Sequence, residues 1–179
     1  MSITASLKAR DDFSDYDLEG LRALKTAVYP PEEEGAWEGA SREWAAPQWG
    51  VFVRDEAGRL VSYTGVVRTD GTVNGGAVTI GGVGGIATHP EHRGHGYAPI
   101  GMARALDYLT TRNTQFALLV CRDELVDYYS RLGWVEFEGE LMVTQFGAPE
   151  KFTFNRVMVG DLNEPAPRTG TIDLHGPPW

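Results

Sequence analysis

The sequence predicts an α+β fold, a mostly antiparallel mixed sheet interrupted by helices, and three observations carry that prediction. From Trp49 to His89, three β-rich runs follow one another across short turns containing glycine or aspartate. Two segments, 18–28 and 100–109, instead repeat apolar residues at the three- and four-residue steps of a helix. The order strand, helix, strand around the second of these requires one parallel pair inside the otherwise antiparallel sheet.

Taken in order, Ser14 and Asp17 open a first helix that carries Leu18, Leu21, Leu24 and Val28 on one face, and Pro30-Pro31 stop it. The stretch EEEGAWEGASREWAAPQW has tryptophan and acid but poor periodicity, and reads as a short helix or a surface loop. WGVFVRD, LVSYTGVVRT and AVTIGGVGGIATH then form a meander with turns at EAGR and DGTVNG. Ile100, Ala103, Leu106 and Leu109 mark the second helix, with Pro99 tolerated in its first turn. FALLVC has the look of a buried strand. RDELVDYYSRLGW is a third helix, with Leu125, Tyr128, Tyr129 and Leu132 on one side and Gly133 at its end. WVEFEGELMVTQ and KFTFNRVMVG read as two strands, and the tail NEPAPRTGTIDLHGPPW as a proline-rich connection with one short extended piece, TIDL.

A chain of 179 residues with 42% hydrophobic and 23% charged residues is one domain, residues 1–179, with enough chain to bury a core. Neither a signal pattern nor an apolar run of membrane-spanning length is present, so a cytoplasmic location with no membrane partner is expected. The single cysteine, Cys121, sits in FALLVC and reads as a packed thiol. With 16 basic against 25 acidic residues the net charge is −9, a field that repels nucleic acid and favours a small cationic substrate.

The segment HPEHRGHGYAPIGMARAL places glycines and basic residues at the mouth of the second helix, where bare N–H groups form an anion site. The P-loop string G-x-x-x-x-G-K-[ST] is absent. Gly82, Gly84 and Ala87 can be forced onto a dinucleotide fingerprint, but they lie within a strand rather than between a strand and a helix. Arg93-Gly94-His95-Gly96-Tyr97-Ala98 fits R/Q-x-x-G-x-G/A in register, with Pro90 three residues upstream, and Tyr129-Ser130-Arg131-Leu132-Gly133-Trp134 fits Y-x-x-x-G-F/W one helix later.

These two blocks, in this order and on these elements, resemble the GNAT superfamily of N-acetyltransferases over about residues 50–146. The resemblance implies helices on both sides of the sheet and a splayed parallel strand pair that binds acetyl-CoA. Residues 93–98 would wrap the pyrophosphate of coenzyme A. Ile86 and Thr88 would offer backbone hydrogen bonds to the pantetheine arm, and an N–H at Ile86 or Ala87 would face the thioester carbonyl. Tyr129 corresponds to the tyrosine that protonates the departing thiolate, with the adjacent Tyr128 as its rival. A homodimer is a tendency of the family.

The base is not assigned, because 82–87 contains no acid. Glu32, Glu33, Glu34, Asp173, the terminal carboxylate and a water chain all remain candidates. His89, His92 and His95 stand three residues apart, but on a loop with a phosphate role and without supporting ligands they are not read as a metal site.

The tail TIDLHGPPW, with Asp173 and Trp179, is similar to the ends of aminoglycoside 2'-N-acetyltransferases, which implies that residues 161–179 line the acceptor site. Gly84 stands where those enzymes carry an acid, and Pro177 and Pro178 replace another. The departures point away from a conventional aminoglycoside and towards a smaller amino sugar of the kasugamycin type, held by Glu32, Glu33, Glu34, Asp173 and Trp179. An acetyltransferase for a peptide amine, lysine or polyamine, and a non-catalytic acyl-CoA-binding module, are the alternatives.

Overall fold

In the computed structural model, which describes residues 3–30 and 37–179, the elements run in chain order β1 (Thr4–Ala9), α1 (Asp15–Val28), β2 (Trp49–Arg54), β3 (Leu60–Val73), β4 (Gly76–Thr88) and α2 (Tyr97–Thr111). They continue with β5 (Phe116–Cys121), α3 (Val126–Arg131), β6 (Val135–Glu136), β7 (Glu140–Gln145), β8 (Ala148–Lys151), β9 (Arg156–Asp161) and β10 (Thr171–Asp173).

The long antiparallel ladder of β3 on β4 organises the sheet. It closes in a two-residue turn, Asn74-Gly75, where both residues have positive φ, 49° and 83°. That is the hairpin geometry Asn-Gly favours. The DGTVNG turn is therefore shorter than its sequence suggests, and residues 70–73 stay in the strand. On one side of β4 lie β5, β9 and β6. On the far edge of β3 the sheet divides: β2 and then β1 pair with its first half, whereas β10 pairs with Thr72 and Val73 and passes the sheet on to β7 and β8.

Alternation along the strands sorts the core by face. Val51, Val66, Val83, Ala117 and Leu119 meet α2 and α3 through Met102, Ala105, Leu109 and Tyr129. Phe52 and Tyr63, on the opposite face, meet Leu24 of α1. Val67, Ile80, Phe116 and Leu118 are covered there by Ile172, Leu174 and Trp179 of the tail. Among the described residues no helix is long and apolar enough to cross a membrane.

Helix α1 begins as its sequence indicates, with Ser14 and Asp17 forming a reciprocal capping box. Asp17 is only 1% exposed, and its carboxylate also receives Lys8 at 2.7 Å and Arg54 at 2.9 Å. Burial pushes this acid upward, but the hydrogen bonds from Lys8, Ser14 and Arg54 prevail and hold it far below the usual carboxylate range. The cluster fastens β1 and β2 to α1.

Four elements differ from the sequence reading. Strand β1 is an edge strand with an irregular burial pattern, which gives little apolar alternation to find. WVEFEGELMVTQ is broken at 137–139, because Phe137 turns into the core and β6 pairs with β9 rather than continuing into β7. KFTFNRVMVG is likewise split, with Phe152 buried between β8 and β9. The third helix is a 3-10 turn over Asp123–Leu125 followed by only six helical residues.

Candidate active site

Strands β4 and β5 pair at only three positions, Ile80 with Phe116, Gly81 with Ala117 and Gly82 with Leu118. Past Gly82, β4 runs on to Thr88 without pairing with β5, while β5 stays on β9 up to the pair Cys121–Arg156. The cause lies in β4. Between the pairs Tyr63–Ala87 and Gly65–Gly84, β3 advances two residues and β4 three, and the extra residue region contains Gly85 at φ +57°. A bulge of this kind bends its strand and sharpens the twist, and glycine meets the left-handed conformation without a Cβ clash. The result is a V with its apex at Gly82 and Leu118, and with arms formed by residues 83–88 and 119–121. The inner backbone edges of the arms are open to a ligand that pairs as a strand.

Beyond Thr88, the chain makes a 3-10 turn over Pro90–His92 and enters α2 through Gly94 and Gly96, both left-handed, at φ +79° and +77°. Gly96 is the N-cap and offers no side-chain acceptor, and Pro99 has no N–H to satisfy. The first helical bond is Ile100 N–H to Gly96 O at 3.3 Å. Among the described residues, no acceptor takes the N–H groups of Gly94, His95, Gly96, Tyr97 or Ala98. Five consecutive free donors at the positive end of a 15-residue helix form an anion-binding nest. The exposed Arg93 guanidinium beside it has no carboxylate partner among the described residues.

Tyr129 lies on the opposite wall. It is 8% exposed and packed with Leu119, Cys121 and Trp134, in a cluster that Ile86 also touches. Burial, with a smaller push from Cys121, raises its phenol well above the ordinary value, so the group stays protonated. Burial raises Tyr128 as well, and the two rings meet edge to face at 5.1 Å. Cys121 is buried and its thiol is pushed up to about 11, chiefly by burial, which makes it a packing residue rather than a nucleophile.

On the tail's face of the sheet, Trp179 closes the apex. Its Nε1 donates to Leu118 O at 3.0 Å, and a Cβ placed on Gly82 would clash with its Cε2 and Nε1. A Cβ on Gly84 would lie 3.0 Å from the main-chain carbon of Trp179. A hollow of about 540 Å³ opens where β5 ends, lined by Trp37, Glu38, Asp123, Glu124, Phe154 and Arg156 among others. Asp123 faces Arg156 at 3.2 Å and Glu124 faces Arg122 at 3.3 Å, whereas the Glu38 carboxylate has no cationic partner among the described residues.

The structure thus brings Ile86, Tyr129 and Trp179 to the V and residues 93–98 to its mouth. Thr88 and Ala87 lie on the β4 arm, where Ser62 Oγ donates to Ala87 O at 3.0 Å and lies 2.9 Å from Thr88 Oγ1. Asp173 is in β10 opposite Thr72, five residues along β3 from the partner of Gly82, or about 17 Å. Its carboxylate accepts from His175 N–H at 2.8 Å. Glu32, Glu33 and Glu34 lie outside the described residues. His95 Nδ1 is 3.0 Å from Arg93 O, and no group of three potential ligands able to hold a metal occurs among the described residues.

Sequence reasoning missed the hollow at the end of β5. Its walls come from three distant segments, and the only local signal was the crowding of tryptophan and acid around Trp37 and Glu38.

A sheet split into a V by a bulge, with an anion nest at its mouth and a buried phenol on one wall, defines an N-acyltransferase architecture. The chain belongs to the GNAT acetyltransferase family: residues 12–137 match the model described as an acetyltransferase (GNAT) domain. The fold is that of the family. The GNAT N-acetyltransferase YhbS of Escherichia coli, solved in complex with CoA, superposes with a TM-score of 0.63 at 17% identity, over 98% of this chain and 92% of that one. An acyl-CoA N-acyltransferase from Pseudomonas aeruginosa gives 0.60 at 20% identity, covering 89% of this chain and 99% of that one. A GNAT acetyltransferase from Brucella melitensis in complex with acetyl-CoA gives 0.57 at 14% identity, over 96% of each chain. No curated protein matches the sequence.

Proposed function

We propose that this protein transfers an acetyl group from acetyl-CoA to a primary amine of a small cationic molecule, an amino sugar of the aminoglycoside or kasugamycin type. The observation that carries the reading is that the β4 arm, unpaired with β5 past Gly82, leads into residues 94–98, whose N–H groups meet no acceptor among the described residues. An extended amide-bearing arm fits the first and a pyrophosphate fits the second.

Acetyl-CoA supplies an activated thioester: the C–N bond forms as the C–S bond breaks, the amine sheds one proton and the sulfur gains one. Residues 93–98 hold the pyrophosphate. A backbone N–H of the bulged stretch, at Ile86 or Ala87, would oppose the negative charge that develops on the thioester carbonyl oxygen. Tyr129, kept neutral by burial, presents its proton to the departing sulfur and is reprotonated through solvent by the proton the amine loses.

A cationic acceptor is favoured by Glu38, which lies beside Trp37 and has no cationic partner among the described residues, and by the net charge of −9. Thiol release from acetyl-CoA, measured against amino sugars, polyamines and peptides, tests the reading. Turnover is expected with amino sugars. Turnover confined to peptides or polyamines overturns the substrate class, and failure to bind acetyl-CoA overturns the activity.

A further inference from the structure

We infer that the indole of Trp179 is an acyl-length gate, set at the apex of the V so that the site takes acetyl and rejects longer acyl chains. The inference rests on the acetyl-CoA reading above and adds a specificity determinant to it.

Trp179 is 7% exposed and spans both strands at the point where they part. It occupies the side-chain space of Gly82 on β4 and bonds Leu118 O on β5, and these two residues are the last pair before the arms diverge. It also covers Gly84, where a Cβ would meet its Cδ1 at 3.3 Å and its own Cβ at 3.5 Å. A thioester held at Ile86 is two residues from Gly84, about 7 Å along the strand. An acyl chain that extends from there into the V meets the indole after a short distance. The gate depends on glycine at 82, since any larger residue would claim the same volume. The indole is fixed as well as large, because its single N–H is satisfied by Leu118 O and its ring is packed among Val67, Leu118 and Leu174.

Calorimetric titration with acetyl-CoA, propionyl-CoA and butyryl-CoA needs no acceptor and reads the gate directly. The unaltered protein should bind butyryl-CoA at least tenfold more weakly than acetyl-CoA. In Trp179→Ala the gap should shrink to about threefold or less, with Trp179→Phe between the two and available should the alanine variant fail to fold. Adding Gly82→Val to Trp179→Ala refills the apex and should restore the preference. Loss of packing alone would weaken all three ligands alike and leave their ratio unchanged. Equal binding of acetyl-CoA and butyryl-CoA by the unaltered protein overturns the gate, as does an unchanged ratio in the folded variants. Absence of acetyl-CoA binding by the unaltered protein would overturn the underlying reading too, so the two failures are distinct.

Discussion

The backbone N–H of Trp134 reaches back to the carbonyl of Tyr129 at 3.2 Å, and Gly133 N–H to Ser130 O at 3.1 Å, so α3 ends in a Schellman motif built around Gly133 at φ +93°. Tyr129 and Trp134 are the two residues whose side-chain contact accompanies that motif, and both are buried in one cluster. The spacing Y-x-x-x-G-W is therefore a capping geometry that also fixes the phenol.

Gly133→Ala should consequently cost about 1–2 kcal/mol of stability, because an L-residue is strained in the left-handed region. It should also lower kcat more than it changes acetyl-CoA affinity, since the phenol shifts with the helix end. Urea unfolding together with steady-state kinetics checks both. An unchanged kcat in a destabilised protein would separate the cap from catalysis.

Tyr129→Phe should reduce kcat by roughly 10²-fold with little effect on acetyl-CoA binding, the size usual for a proton donor. Tyr128→Phe should leave kcat within about threefold. The reverse pattern would move the role one residue back. The raised phenol of Tyr129 also implies that no alkaline limb below about pH 10 arises from this residue, which a pH profile compared between the unaltered protein and Tyr129→Phe would reveal.

Gly96→Val should raise the acetyl-CoA dissociation constant at least tenfold, about 1.4 kcal/mol. A Cβ at Gly96 meets nothing within 4 Å among the described residues, so the cost is not a clash with their atoms. A β-branched residue resists φ +77° and would crowd the nest that five free N–H groups form. Circular dichroism confirms the fold, and undiminished affinity in a folded variant removes residues 93–98 from the cofactor site.

The parts of this site that a reader of the sequence could find are those made by neighbours in the chain. The phosphate loop and the Tyr129 block each rest on a few consecutive residues whose backbone conformation is set locally, by Gly94, Gly96 and Gly133. The V was legible only through the family resemblance, because its cause, the one-residue excess at Gly85, shows in the pairing register of two strands and not in composition. The apex was less legible still. Gly82 and Trp179 are far apart in sequence, and a glycine in a glycine-rich strand does not announce that an indole from the tail fills its place. Strand β1 and the hollow beside Trp37 depend in the same way on partners supplied by distant segments.

The buried Asp17 cluster gives the fold a defined acid sensitivity. Its folded-state pKa lies below that of an unfolded aspartate, which is near 3.9, so its contribution is fully present above that value and is lost as pH falls below it. At neutral pH, Asp17→Asn leaves Lys8 and Arg54 without their counter-charge in a site that is 1% exposed, which should cost about 3 kcal/mol. The stability gap between the unaltered protein and Asp17→Asn should therefore be constant from about pH 5 to 8 and narrow steadily between about pH 4 and 2. Urea unfolding across that range measures it directly. A surface ion pair would show a gap of less than about 1 kcal/mol that salt abolishes, whereas a buried cluster should keep most of its gap in about 0.5 M sodium chloride, because the Debye screening that acts on exposed charges barely reaches it. A gap that stays constant down to pH 2 would assign the loss to packing and the capping box alone, and would remove the Lys8–Asp17–Arg54 charges from the stability of the fold.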